Sequence, residues 1–126
     1  MRRDMDLVRS ILLRIEESEL PYHDGILEIE GWSEGEIIYH LNLLIQAGFV
    51  NALELGDVNT PFGYQFQDAS LTWSGHEFLD KVRDPEIWKK TKEGAAKVGT
   101  WSVSIIAEIA KGLMFQKARE LSLPIL

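Results

Sequence analysis

Apolar residues recur at three- and four-residue spacing from the start of the chain. Met5, Val8, Leu12 and Ile15 form one stripe, Leu7 and Ile11 widen it, and Arg9, Arg14, Glu16 and Glu17 fall on the other side. With Asp4 placed to cap it, this pattern predicts a helix. Pro21 and Gly25 break the pattern. Ile26 to Glu30 then alternates apolar with acidic residues, as a short half-buried strand does. Ser33-Glu34-Gly35-Glu36 fits a capping box, in which the Ser33 hydroxyl faces the Glu36 amide and that carboxylate reaches back. The helix it opens carries Ile37, Leu41, Leu44 and Ile45 inward and ends at Gly48, a residue suited to a left-handed turn. Phe49 to Leu55 reads as a strand, Gly56 to Gly63 as a turn-rich loop, and Tyr64 to Thr72 contains the returning strand of a hairpin.

A second capping box, Ser74-Gly75-His76-Glu77, predicts a helix carrying Phe78, Leu79 and Val82. Asp84-Pro85 starts another that runs to about Lys97, with Asp84 as cap and Pro85 at the first helical position. Gly99 punctuates, and Ser102 to about Leu121 forms a last helix with Val103, Ile106, Ile109, Ala110, Leu113 and Met114 inward. Its apolar set also includes Ile105, Ala107 and Phe115, more than one narrow stripe holds, so its second face is expected either inside the monomer or against another subunit. Helix, short strand, helix and two-stranded wing is the order of a winged-helix domain. The expectation is a single α+β, mainly helical domain, with residues 1–72 as a winged-helix part and 73–126 as a helical extension.

Three stretches together resemble an uncharacterised family of small bacterial and phage- or prophage-encoded proteins, a domain of unknown function. They are Arg3-Asp4-Met5-Asp6-Leu7-Val8-Arg9, Tyr39-His40-Leu41 running on to Ala47-Gly48-Phe49, and Leu71-Thr72-Trp73-Ser74-Gly75-His76-Glu77-Phe78-Leu79-Asp80, with Trp88 downstream. The resemblance implies a winged-helix-like fold and a mobile-element context, and carries over no catalytic residue. Leu43 to Val50 is also similar to the end of the recognition helix in helix-turn-helix regulators. Those regulators place a full helix just upstream, where this chain offers Leu27 to Gly31.

Composition narrows the function. The chain has 126 residues, 45% hydrophobic and 26% charged, in the range of a folded soluble domain. The lack of cysteine excludes disulfides, thiolate metal sites and cysteine nucleophiles, and fits a cytoplasmic setting. No apolar run approaches the roughly 18 residues of a membrane span, and the first residues lack the pattern of a signal peptide. The net charge of −7 is unevenly spread. Residues 1–20 carry four basic and five acidic side chains, residues 71–126 nine and seven, and residues 21–70 eight acidic and no Lys or Arg.

Groove readers use Lys and Arg to neutralise phosphates, so DNA binding through the second helix and wing is disfavoured, and His40 supplies a charge there only in acid. On a helical wheel with Leu41 inward, Glu36, Tyr39, Leu43 and Gln46 point out, making Tyr39 and Leu43 a candidate contact for an unidentified protein partner. Trp101 is a candidate interface anchor, and by analogy the last helix a homodimer contact. Trp73 is expected to seal the sheet against the next helix, Trp88 to pack in the core, and Trp32 to sit as a staple before a helix. A nucleic-acid contact would instead fall to Lys89, Lys90 and Lys92, with Lys81, Arg83 and Lys97 nearby, or to Arg2, Arg3 and Arg9. His76-Glu77-Phe78-Leu79-Asp80 begins like a zinc-protease motif but ends in Asp and lacks a third ligand, and no glycine-rich phosphate loop is present. The expectation is a non-enzymatic protein without catalytic residues, cofactor or metal. A DNA-binding regulator is the alternative and a metal-dependent enzyme the remote one.

Overall fold

A computed structural model describes residues 1–56 and 59–124. It is α+β and mainly helical: α1 (Met5–Glu16), α2 (Glu34–Gln46), β1 (Val50–Gly56), β2 (Tyr64–Leu71), α3 (Trp73–Val82), α4 (Pro85–Val98) and α5 (Val103–Glu120). The chain forms two compact units, Met1–Glu77 and Phe78–Leu126. Asp57 and Val58, within the expected Gly56–Gly63 loop, lie outside the described residues, as do Ile125 and Leu126.

In the first unit, α1 begins where the sequence places it. The Asp4 carboxylate accepts hydrogen bonds from the amides of Asp6 and Leu7, and Met5, Leu7, Val8, Ile11, Leu12 and Ile15 are buried. Each such side chain contributes on the order of 1.5–3 kcal/mol when fully removed from water. In α2 both halves of the Ser33–Glu36 capping box form, and Ile37, Ile38, His40, Leu41 and Leu44 are buried, with Ile45 half-buried. The helix ends in a Schellman turn: Gly48 at φ 78° donates to the Ile45 carbonyl and Phe49 to that of Leu44.

His40 is 1% exposed. Its Nδ1 lies 2.8 Å from the Glu36 carbonyl, which can only accept, so Nδ1 carries the proton. Nε2 then accepts from the Asp4 amide at 2.8 Å, tying the residue that caps α1 to the middle of α2. The sequence pattern assigns His40 no role: a wheel centred on Leu41 does not register that the Asp4 backbone needs an acceptor.

The sheet is one antiparallel pair, running from Val50 opposite Leu71 to Gly56 opposite Tyr64. Between the pairs Asn51–Ser70 and Leu53–Gln67, Asp68 and Ala69 together face Ala52, a bulge with Asp68 at φ 55°. The bulge turns backbone groups outward. The Asp68 amide donates to the Gly25 carbonyl at 3.1 Å, the Ala69 carbonyl accepts from His23 at 2.7 Å, and the Asp68 carboxylate accepts from the Gly25 amide at 2.9 Å. Ile26–Glu30 does not form the expected strand. The rungs are made at His23 and Gly25, after which Gly25, at φ 77°, turns the chain off the sheet.

Pro61 and Phe62 lie against the first turn of α2: a methyl group added at Gly35 would meet them at ordinary van der Waals distance, 3.7 Å from Pro61 Cγ and 4.0 Å from Phe62 Cζ. Buried Gln65 reinforces this, donating through Nε2 to the Glu34 carboxylate and accepting from the Phe66 amide. At the other end of the hairpin, Thr72 caps α3, its hydroxyl oxygen accepting from Gly75 at 3.0 Å while the hydroxyl donates to the Gly48 carbonyl. The expected Ser74–Glu77 box is therefore two residues late: Ser74, His76 and Glu77 are exposed within the helix. Trp73, at its first position, is 81% exposed and does not seal the sheet.

In the second unit α4 and α5 pack as an antiparallel helical hairpin. Lys117 near the end of α5 pairs with Asp84, the cap of α4, at 3.1 Å, and Ile109 lies over Gly94. Ile87, Trp88, Thr91 and Ala95 are buried on α4, with Trp88 packed as expected. Of the six residues expected inward on α5, Ile106 and Ala110 are buried, Val103, Ile109 and Leu113 are half-buried, and Met114 is 38% exposed. The Phe115 side of the helix is open to solvent.

Two substitutions test this framework. A Cβ at Gly75 would fall 2.1 Å from the Phe49 carbonyl oxygen, so Gly75→Ala is expected to lower stability by about 1–3 kcal/mol. His40→Ala leaves the Asp4 amide unpaired beside a new cavity and is expected to cost about 2–4 kcal/mol. Urea unfolding, read as a shifted midpoint at unchanged slope, measures both.

Candidate functional site

The first unit presents α2, the hairpin and the segment between α1 and α2. Tyr39 and Leu43 stand one turn apart on α2, and both are half-buried; Gln46, below them, is exposed. The Tyr39 ring meets His40 edge-on, with centroids 5.6 Å apart. On the hairpin, Leu53 is 56% and Phe62 41% exposed, and Phe62 stacks on Tyr64. Asp24, Glu28, Glu30, Glu34 and Glu54 are exposed, so the surface is acidic with apolar side chains among the acids. Hydrogen bonds from the Ser33 amide and hydroxyl hold the Glu36 carboxyl below its ordinary value of 4.5. His23 Nδ1 is a buried nitrogen without a hydrogen-bond partner among the described residues.

Where the chain leaves the sheet at Gly25 it leaves a groove of about 740 Å³. Ile26, Leu27, Ile29, Trp32 and Ile37 supply its apolar lining, and Glu28, Glu30, Glu34 and Arg14 its charges. Trp32 and Ile37 stand at the two positions of a hydrophobic staple around the Ser33 cap. This groove was not legible in the sequence. Its one signal is the alternation at Ile26–Glu30, which describes the exposure of the segment but not its departure from the sheet.

In the second unit Lys89, Lys90 and Lys97 are exposed on the outer side of α4 together with Glu86 and Glu93, so the face is of mixed sign. Lys90 pairs with Glu86 at 3.2 Å, and Lys92 lies 5.7 Å from the centre of the Trp88 ring. Trp101 is 43% exposed just ahead of Ser102, which caps α5. A shallow groove of about 310 Å³ runs along Ile87, Met114, Ala118, Leu121 and Leu123. His76 and Asp80 are exposed, and the Asp80 carboxylate accepts from Arg83 at 2.8 Å. Among the described residues no three or more His, Cys, Asp or Glu side chains converge to hold a metal ion, and no helix is long and apolar enough to cross a membrane.

Residues 2–102 match the family model described as hypothetical protein (DUF2513). The chain belongs to this family. An uncharacterized protein of Haemophilus influenzae (strain ATCC 51907 / DSM 11121 / KW20 / Rd) is 33% identical to it over 119 residues, covering 92% of this chain and 98% of the relative. No solved structure matches. The DUF2513 match takes in the first unit from Arg2 onward, α3 and α4, and stops at the Ser102 cap of α5.

The Asp84–Lys117 contact has a readable pH signature. Hydrogen bonds from the Ile87 amide and then Lys117 hold the Asp84 carboxyl below its ordinary value of 3.8. A lowered carboxylate stabilises the fold above its unfolded value, and the contribution disappears as pH falls through the folded value. Thermal melts of wild type and Asp84→Asn are expected to differ by a constant amount above about pH 5 and to converge below pH 3.8.

Proposed function

We propose that this chain is a non-enzymatic, phage- or prophage-type module on a winged-helix-like frame, working in the cytoplasm through protein contacts that include Tyr39 and Leu43. The observation that carries this reading is the absence of Lys and Arg from residues 21–70, which hold α2 and the hairpin, against eight acids there. A protein that reads a DNA groove draws most of its affinity from cations on those two elements. The position of Pro61 and Phe62 against α2 adds support, since a wing folded back on its own helix is not extended toward a neighbouring groove. The half-burial of Tyr39 and Leu43 suits a protein contact, where an aromatic and an aliphatic side chain complete their burial together. Trp101 and the open Phe115 side of α5 support a second contact, with a homodimer as its simplest form.

The test is fluorescence anisotropy with mixed-sequence duplex DNA, from about 50 mM salt to physiological strength. The reading expects no saturable binding at protein concentrations up to roughly 100 µM, the weak end of non-specific binding. Micromolar binding that falls steeply with salt, and is lost on changing Lys89, Lys90 and Lys92 to Gln, would replace it with a DNA-binding regulator that works from α4.

A further inference from the structure

We infer that the groove at Ile26–Trp32 receives a basic, amphipathic segment of a partner protein, an assignment that rests on the protein-contact reading above and gives the partner its chemistry. Its volume, about 740 Å³, lies in the range of sites that enclose a ligand of several side chains. Its lining is of two kinds. Ile29 and Trp32 are half-buried over buried Leu27 and Ile37, and Ile26 remains 49% exposed, an apolar floor left partly wet. Above the floor stand acids. Glu34 already accepts from Gln65, but Glu28 and Glu30 are exposed and have neither hydrogen bond nor ion pair among the described residues.

Arg14 is the cation among the lining residues, and it is engaged with Glu17 at 3.1 Å. The main chain is open as well. From Ile26 to Glu30 the amides make no backbone hydrogen bond among the described residues, and of the carbonyls Ile29 accepts one, from Trp32. Leu27 and Ile29 turn inward while Glu28 and Glu30 turn out, so a chain laid alongside would meet carboxylates and unpaired backbone groups together.

These features select the occupant. Nucleic acid and anionic lipid meet the wrong sign of charge, and among the described residues no group of three His, Cys, Asp or Glu side chains is placed to hold a metal ion. A polypeptide with Lys or Arg at alternate positions and apolar residues between them satisfies both the rim and the floor. Rim charges of this kind set association rate and salt dependence, and the apolar floor sets residence.

The experiment uses the full-length protein, 15N-labelled, titrated with a 12-residue peptide of alternating Arg and Leu and followed by amide chemical shifts. A second peptide carries citrulline at every Arg. The expected result is shifts concentrated in Ile26–Ile37, little response to the citrulline peptide, and affinity reduced about tenfold or more by Glu28→Gln with Glu30→Gln. Ile26→Ser, at an exposed position, is expected to weaken binding several-fold without loss of fold. Glu54→Gln, an exposed acid outside the groove lining, is expected to leave it unchanged. Equal losses from Glu54→Gln would mean diffuse attraction to an acidic protein and overturn the inference, as would no binding at millimolar peptide. Shifts confined to Tyr39 and Leu43 would overturn it while leaving the protein-contact reading intact. Duplex DNA moving the same Ile26–Ile37 resonances would overturn both.

Discussion

The first unit depends on one buried imidazole. His40 sits in the middle of α2, yet its Nε2 accepts from the amide of Asp4, the residue whose carboxylate caps α1. One residue therefore takes part at both levels: its side chain supplies the first-turn amides of α1, and its own amide is satisfied 36 positions along the chain. A buried unpaired amide is costly, and so is a buried polar ring without partners, so neither helix can slide past the other without losing both. The junction fixes how α2 leaves the core, and with it which residues of α2 meet solvent.

The remaining contacts of this unit close it on itself. Asp68, in the left-handed conformation, opens the edge of β2 to His23 and Gly25; Gln65, Pro61 and Phe62 hold the hairpin to the first turn of α2; Thr72 and Gly75 hold its other end to the Gly48 turn. A helix and hairpin in this order invite comparison with DNA readers, but their exposed charges are all acidic and the hairpin is committed to its own helix. What remains available is a surface of carboxylates interleaved with wet apolar side chains. That combination repels polyanions and rewards a basic polypeptide.

Much of the fold was legible because its signals are local. The Asp4, Ser33, Asp84 and Ser102 caps, the Gly48 stop and the hairpin all follow from neighbours within a few residues, and the family resemblance rested on equally contiguous blocks. What was missed required a distant partner. The role of His40 has no local signal, because its partner Asp4 lies 36 positions away; Thr72 replaces Ser74 as a cap because its hydroxyl is also bound to Gly48; Trp73 is exposed as a consequence of that shift. The Ile26–Glu30 strand failed for the same reason, since a bulge at Asp68 decides where the pairing falls. Of the candidate contacts, Tyr39 and Leu43 were placed on one face of α2 but less exposed than a wheel implies, and the adjoining groove had no sequence signature of its own.

The claim on which this account stands is that His40 carries its proton on Nδ1 and offers Nε2 to the Asp4 amide. Long-range 15N correlation spectra of the His40 ring at pH 8 read this directly. The account predicts a pyridine-type Nε2 and a pyrrole-type Nδ1, with the Asp4 amide strongly protected from exchange and protection lost in His40→Ala. A proton on Nε2, or an Asp4 amide that exchanges at the rate of an open chain end, would contradict it.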